Sequence, residues 1–156
     1  MRIRYLDGAR LRRAFLAGCN YATAARVELN AINVFPVPDG DTGTNLALTV
    51  SSVADELQRN RDQDAAAVAR AAAEAGILGA RGNSGMILSH WLIGLADGLG
   101  DARRAEVGDM RAALRKAADH LYASLENPVE GTMLTVMREA AEEAEAVDSD
   151  DFVDFM

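Results

Sequence analysis

The chain has 156 residues, a formal net charge of −8, 49% apolar residues and 5% aromatics. That length is enough for one domain with its own core. The negative charge excludes broad contact with nucleic acid or an anionic membrane, which need a positive surface; it leaves open a phosphate ligand bridged by metal ions.

Alanine is very common, and a core of Ala and Leu favours packed helices over sheets. Cys19 is the one cysteine, so no intramolecular disulfide forms, and its place in an apolar stripe reads as a small core residue. No apolar run is long enough to span a membrane, and a cytoplasmic location is expected.

The first helix is expected to open at Asp7, a good N-cap. Leu11, Phe15, Cys19, Ala22, Ala25, Leu29 and Ile32 follow at steps of three or four and predict one buried stripe. Asn33 to Gly43 breaks this pattern with two prolines and two glycines. A second helix carries Leu46, Val50, Val53 and Leu57, and Asp64 is the expected cap of a third, from Ala65 to about Ala75. Gly76 to Gly85 holds four glycines. A fourth helix, from Asn83 or Ser84 to about Gly98, is apolar on most sides and should be central. A fifth spans roughly Asp109 to Leu125, and Thr132 caps a sixth that reaches about Val147. No segment alternates with period two, so the fold class is all-α, an antiparallel helical bundle. Residues 1–156 read as a single domain, in which either a last helix begins near Asp148 or the chain is cut from something longer.

Two loops carry chemistry. In Asn33-Val34-Phe35-Pro36-Val37-Pro38-Asp39-Gly40-Asp41-Thr42-Gly43-Thr44-Asn45, the prolines stiffen the approach and the glycines permit turning. Were the segment extended, Asp39 and Asp41 would point to one side, as hard cations such as Mg²⁺ require. The plainer alternative is a polar turn with Asp and Thr as helix caps. An EF-hand fits poorly, because its fifth and twelfth positions would be Gly43 and Val50. In the second loop, Gly79-Ala80-Arg81-Gly82-Asn83-Ser84-Gly85 precedes an apolar helix, and glycines there let backbone N–H groups approach an anion. No Gly-Lys-Ser/Thr follows, so it is not a Walker A loop. The alternative is a glycine-rich connection capped by Ser84. Arg81 either touches a phosphate or pairs with an acidic neighbour. His90 and His120 fall in neither loop and read as packing and boundary residues.

Together, the aspartate loop through Leu46, the segment Gly79 to Ser89 and Glu130-Gly131-Thr132-Met133-Leu134 resemble the ATP-binding (DhaL-like) domain of dihydroxyacetone kinases. They are more similar still to the N-terminal domain of bacterial fatty acid kinase, which works with DegV-type fatty-acid-binding proteins. The resemblance implies a barrel of about eight antiparallel helices, the last of them beyond Met156, with ATP at one end. It implies two Mg²⁺ ions on Asp39 and Asp41. Asn33 stands near a further family aspartate, with a one-residue difference in spacing, and offers a neutral oxygen. Thr42, Gly43, Thr44, Asn45, Gly82, Asn83, Ser84 and Gly85 map to the nucleotide and phosphate positions, and Thr132 and Met133 to the place where a methionine packs on adenine.

Dihydroxyacetone kinases carry His where this chain has Thr42, which together with the Phe-Pro-Val-Pro insert favours the fatty acid kinase branch. The implied reaction passes the ATP γ-phosphate to a carboxylate presented by a DegV-type partner with help from later domains of the same chain, and a homodimer is compatible with it. No catalytic residue is expected beyond the metal and phosphate ligands, because the acceptor is already ionised, and the isolated domain should turn over poorly. The rival readings are a dihydroxyacetone kinase subunit, a regulatory helical domain that binds nucleotide without catalysis, and a plain helical bundle with acidic loops.

Overall fold

The computed structural model describes residues 2–34 and 38–155. Its elements run β1 (Tyr5–Asp7), α1 (Gly8–Ala24), α2 (Arg26–Ala31), α3 (Thr42–Arg59), α4 (Ala65–Gly79), α5 (Gly82–Leu99), β2 (Arg104–Glu106), α6 (Val107–Ala123), α7 (Met133–Ala146) and α8 (Phe152–Phe155). The all-α expectation describes the architecture. From α3 to α7 each long helix packs on the next, and α1 lies across α3 and α4.

The composition explains the close packing. Leu57, Val53, Val68, Leu92, Leu95 and Leu121 fill the interior, with Ala65, Ala69, Ala72, Ala113 and Ala117 fully buried among them. Small side chains let helix axes approach. A Cβ on Gly94 would stand 2.7 Å from Ala117 Cα, and one on Gly98 2.5 Å from Ala113 Cα, so α5 and α6 touch almost backbone to backbone. These pairs also make the two helices antiparallel, because the later glycine meets the earlier alanine. α7 returns alongside α6, with Arg115 on Glu145 and Arg111 donating to the carbonyls of Ala144, Val147 and Ser149. The start of α7 therefore lies toward the end of the bundle where α5 begins.

Three expectations need correction. The predicted continuous first helix breaks at Ala25, and α2 turns onto α3, leaving Ile32 70% exposed rather than in the stripe. A small antiparallel clip pairs Tyr5 with Glu106, Leu6 with Ala105 and Asp7 with Arg104. Three residues are too few to show a period-two pattern, so strand pairing was not legible. Asp64 stands at the N-cap position of α4 but its side chain makes no cap bond. It accepts from Arg103 Nε at 3.1 Å, while the carbonyls of Arg103 and Ala102 receive the N–H groups of Ala65 and Ala66. Asp7 and Thr132 do cap α1 and α7 as expected. At the tail, α8 buries Phe152, whose N–H donates to Ile3 O.

Candidate functional site

The two unusual loops meet. α3 begins at Thr42, directly after the aspartate loop, and α5 begins at Gly82, inside the glycine loop. The Ser84 hydroxyl donates to the carbonyl of Thr42 at 3.1 Å, across 42 residues of sequence. Thr49 Oγ1, on α3, accepts from the Arg81 N–H at 3.0 Å and donates to Asn45 O at 2.9 Å. A Cβ on Gly85 would stand 2.3 Å from that same Thr49 oxygen, so glycine is required where the helices touch. A Cβ on Gly82 (φ +56°) would likewise stand 2.3 Å from the amide nitrogen of Asn45. Both loops thus occupy one end of the bundle and share a seam.

Within the aspartate loop, Phe35 to Val37 lie outside the described residues, and with them most of the proposed Phe-Pro-Val-Pro approach. The pair Asp39 and Asp41 is not set on an extended segment as expected. Gly40 has φ +69° and Asp41 is helical (φ −111°, ψ −6°), so the chain turns between them. Both aspartates are exposed. Asp41 is the N-cap residue of α3 yet its side chain makes no capping bond, which removes the plain helix-cap alternative for it.

The capping is done by asparagine. Asn33 Oδ1 accepts from the N–H groups of Asp41 and Thr42 at 3.2 and 3.3 Å. Both contacts tie Asn33 to the backbone of the aspartate loop. Asn30, which sequence reasoning missed, accepts from Thr44 N and donates to Thr44 Oγ1, both at 3.0 Å. Gly43 is buried against α2, where a Cβ would stand 2.2 Å from Arg26 O. At the start of α3 the N–H groups of Asp41, Thr42 and Thr44 are therefore held by side chains of the protein.

The first turn of α5 is different. It has no side-chain cap. Helix geometry leaves the N–H groups of Gly82, Asn83 and Ser84 without an intrahelical partner, and such a terminus favours negative charge. Gly85, mapped with them to the phosphate positions, instead donates its N–H to Arg81 O at 3.0 Å. The helix starts earlier than its sequence pattern suggested, which moves the free donors back by one residue. Arg81 is exposed, and its guanidinium contacts Ala80 O at 2.9 Å.

Thr132 and Met133 open α7 and stand toward the same end by topology. The Thr132 hydroxyl accepts from Leu134 N at 3.3 Å and donates to Val129 O at 2.9 Å, so in this structure it caps the helix. The preceding loop is tied by Glu130, which accepts from Thr135, Tyr122 and Arg138. The hydrogen bonds from Thr135 and Tyr122 hold its carboxyl below the usual glutamate range. His90 and His120 lie across the α5–α6 seam with ring centroids 5.9 Å apart. Burial pushes the Cys19 thiol up, in keeping with a core residue.

Among the described residues no three His, Cys, Asp or Glu side chains are gathered as a ready metal cage. The donor set nevertheless suits Mg²⁺, which takes one or two carboxylates and completes its shell with water and phosphate oxygens. No helix is long and apolar enough to cross a membrane among the described residues.

The sequence pattern of the family described as the DAK2 domain matches residues 36–156. The chain is 40% identical over 144 residues to Protein YloV of Bacillus subtilis, covering 92% of this chain and 26% of that protein. It is 36% identical over 130 residues to an uncharacterised protein of Staphylococcus haemolyticus, and 33% identical over 130 residues to one of Staphylococcus aureus strain USA300. Each of those matches covers 82% of this chain and 24% of the relative. The chain thus spans about a quarter of the length of the curated relatives it matches.

Proposed function

This chain belongs to the DAK2 domain family, a kinase-related family of DhaL-like nucleotide-binding domains, and on that premise we propose that it is the Mg²⁺-ATP-binding domain of a fatty acid kinase. The observation that carries the reading is the Ser84–Thr42 hydrogen bond, which sets two exposed aspartates beside the uncapped start of α5. The N–H groups of Gly82, Asn83 and Ser84 receive the terminal phosphates of ATP. Asp39 and Asp41 hold the metal, and Asn33 fixes the turn that carries them. These two carboxylates would hold Mg²⁺, which would supply neutralisation of the phosphate charge. Met133 packs on the base from the neighbouring helix start.

The acceptor is a fatty acid carboxylate. An ionised carboxylate needs no general base, and neither His90 nor His120 stands at the two loops. A DegV-type protein presents the lipid, and later parts of the same polypeptide bring it to the γ-phosphate in the cytoplasm. Phosphoryl transfer then depends on positioning and charge neutralisation rather than on a nucleophilic side chain.

The test uses the full-length polypeptide with a lipid-loaded DegV-type protein, ATP and Mg²⁺, trapping acyl phosphate as the hydroxamate with hydroxylamine. Hydroxamate formation that depends on both proteins is expected. Phosphorylation of dihydroxyacetone without hydroxamate would replace this reading with that of a dihydroxyacetone kinase subunit.

A further inference from the structure

The short helix α2 has no role in the reading above, yet it is pressed onto the part of the site that carries the aspartates. Leu29 Cβ and the Arg26 carbonyl lie so close to Gly43 that a Cβ there would stand 2.9 and 2.2 Å from them. Asn30 is half-buried and makes a two-point contact with Thr44, accepting from its N–H and donating to its hydroxyl. Asn33, on the exit from α2, takes the N–H groups of Asp41 and Thr42. Three N–H groups at the start of α3 are therefore bound from one side by two asparagines.

This arrangement has two consequences. It occupies three donors at the start of α3, whereas the first turn of α5 has no side-chain cap. It also removes the need for Asp41 to cap its own helix, leaving that carboxylate for another partner. A short side chain with an acceptor oxygen suits the task, because it reaches the Thr44 N–H and hydroxyl together.

We propose that Asn30 is a positioning residue for the aspartate loop: by clamping Thr44 it sets the first turn of α3, and so the direction in which Asp41 presents its carboxylate. The proposal rests on the reading of that loop as the Mg²⁺ site. Its signature is specific, because loss of the clamp should impair the metal-dependent part of nucleotide binding and spare the part held by α5.

The experiment is calorimetric titration of ATP into the wild-type chain, Asn30→Ala and Asn30→Asp, each with Mg²⁺ and with EDTA. Circular dichroism checks that the helices persist. Asn30→Ala should weaken binding about tenfold with Mg²⁺ and less than about twofold with EDTA. Asn30→Asp keeps an acceptor for Thr44 N–H and can receive the Thr44 hydroxyl proton, so it should stay within about threefold of wild type with Mg²⁺. Should Asn30→Ala not fold, Thr44→Val removes one of the two bonds at similar volume, and the same selective loss is expected of it. Equal weakening with and without Mg²⁺, no weakening, or an Asp variant as poor as the Ala variant would each overturn the proposal. A wild-type chain that bound ATP identically with Mg²⁺ and EDTA would instead overturn the metal reading of the loop, and this inference with it.

Discussion

Ser84 Oγ donates to the carbonyl oxygen of Thr42 at 3.1 Å, and Ser84 is 6% exposed. This bond joins the residue that follows the aspartate pair to the first turn of the helix that offers free backbone donors. Removing it leaves a carbonyl at the seam without that partner. Ser84→Ala should lower stability by about 1 kcal/mol, the ordinary worth of one such bond. It should also weaken Mg²⁺-ATP binding, because the two halves of the site lose their shared register. Urea denaturation and calorimetry measure the two effects, and an unchanged midpoint and affinity would show that the seam is set elsewhere.

Glycines in this chain divide by what surrounds them. A Cβ at Gly43 would stand 2.2 Å from Arg26 O, which is backbone and cannot swing aside. Gly43→Ala should therefore cost about 1–3 kcal/mol, as overpacking typically does. Gly18, within α1, has nothing within 4 Å of such an atom. Gly18→Ala should raise stability by about 0.5–1 kcal/mol, the gain expected for alanine over glycine in an open helix position. Thermal melting of both variants against wild type checks the opposite signs.

Much of this was legible in the sequence, and the rest was hidden for a definable reason. The periodic runs through Val50, Val53 and Leu57 and through Leu92 and Leu95 gave α3 and α5, because a buried stripe repeats along the chain. Thr132 and Asp7 announced their helices because a cap acts on its own next residues. Asp64 misled for the converse reason. It is a good cap by type, but Arg103 and the carbonyls of a distant segment took over its neighbourhood. Asn30 was invisible because its partner, Thr44, lies 14 residues away and its own helix is too short to show a period. The two aspartates stand out in the sequence by their spacing. What makes them available, a turn capped by Asn33 rather than by Asp41 itself, is a property of the fold.

The chain ends meet through Asp151, which receives the N–H groups of Ile3 and Val153. Those backbone hydrogen bonds hold its carboxyl below the ordinary aspartate value of 3.8. A depressed carboxyl contributes stability that is fully present above the unfolded value and lost as pH falls through the folded one. Asp151→Asn should therefore lower Tm at pH 7 and make little difference at pH 2. Melting curves across that range check it; a Tm difference that grew toward acid would contradict the sign.

In the proposed function Asp39 and Asp41 hold Mg²⁺ for an ATP whose phosphates rest on the start of α5. Calorimetric titration of ATP into wild type, Asp39→Asn and Asp41→Asn, with Mg²⁺ and with EDTA, tests it most directly. Each substitution removes a charged ligand at nearly constant shape on an exposed loop. Each variant should lose about tenfold or more in affinity with Mg²⁺, on the order of 1.4 kcal/mol, and match wild type in EDTA. Full Mg²⁺-dependent affinity in both variants would contradict it.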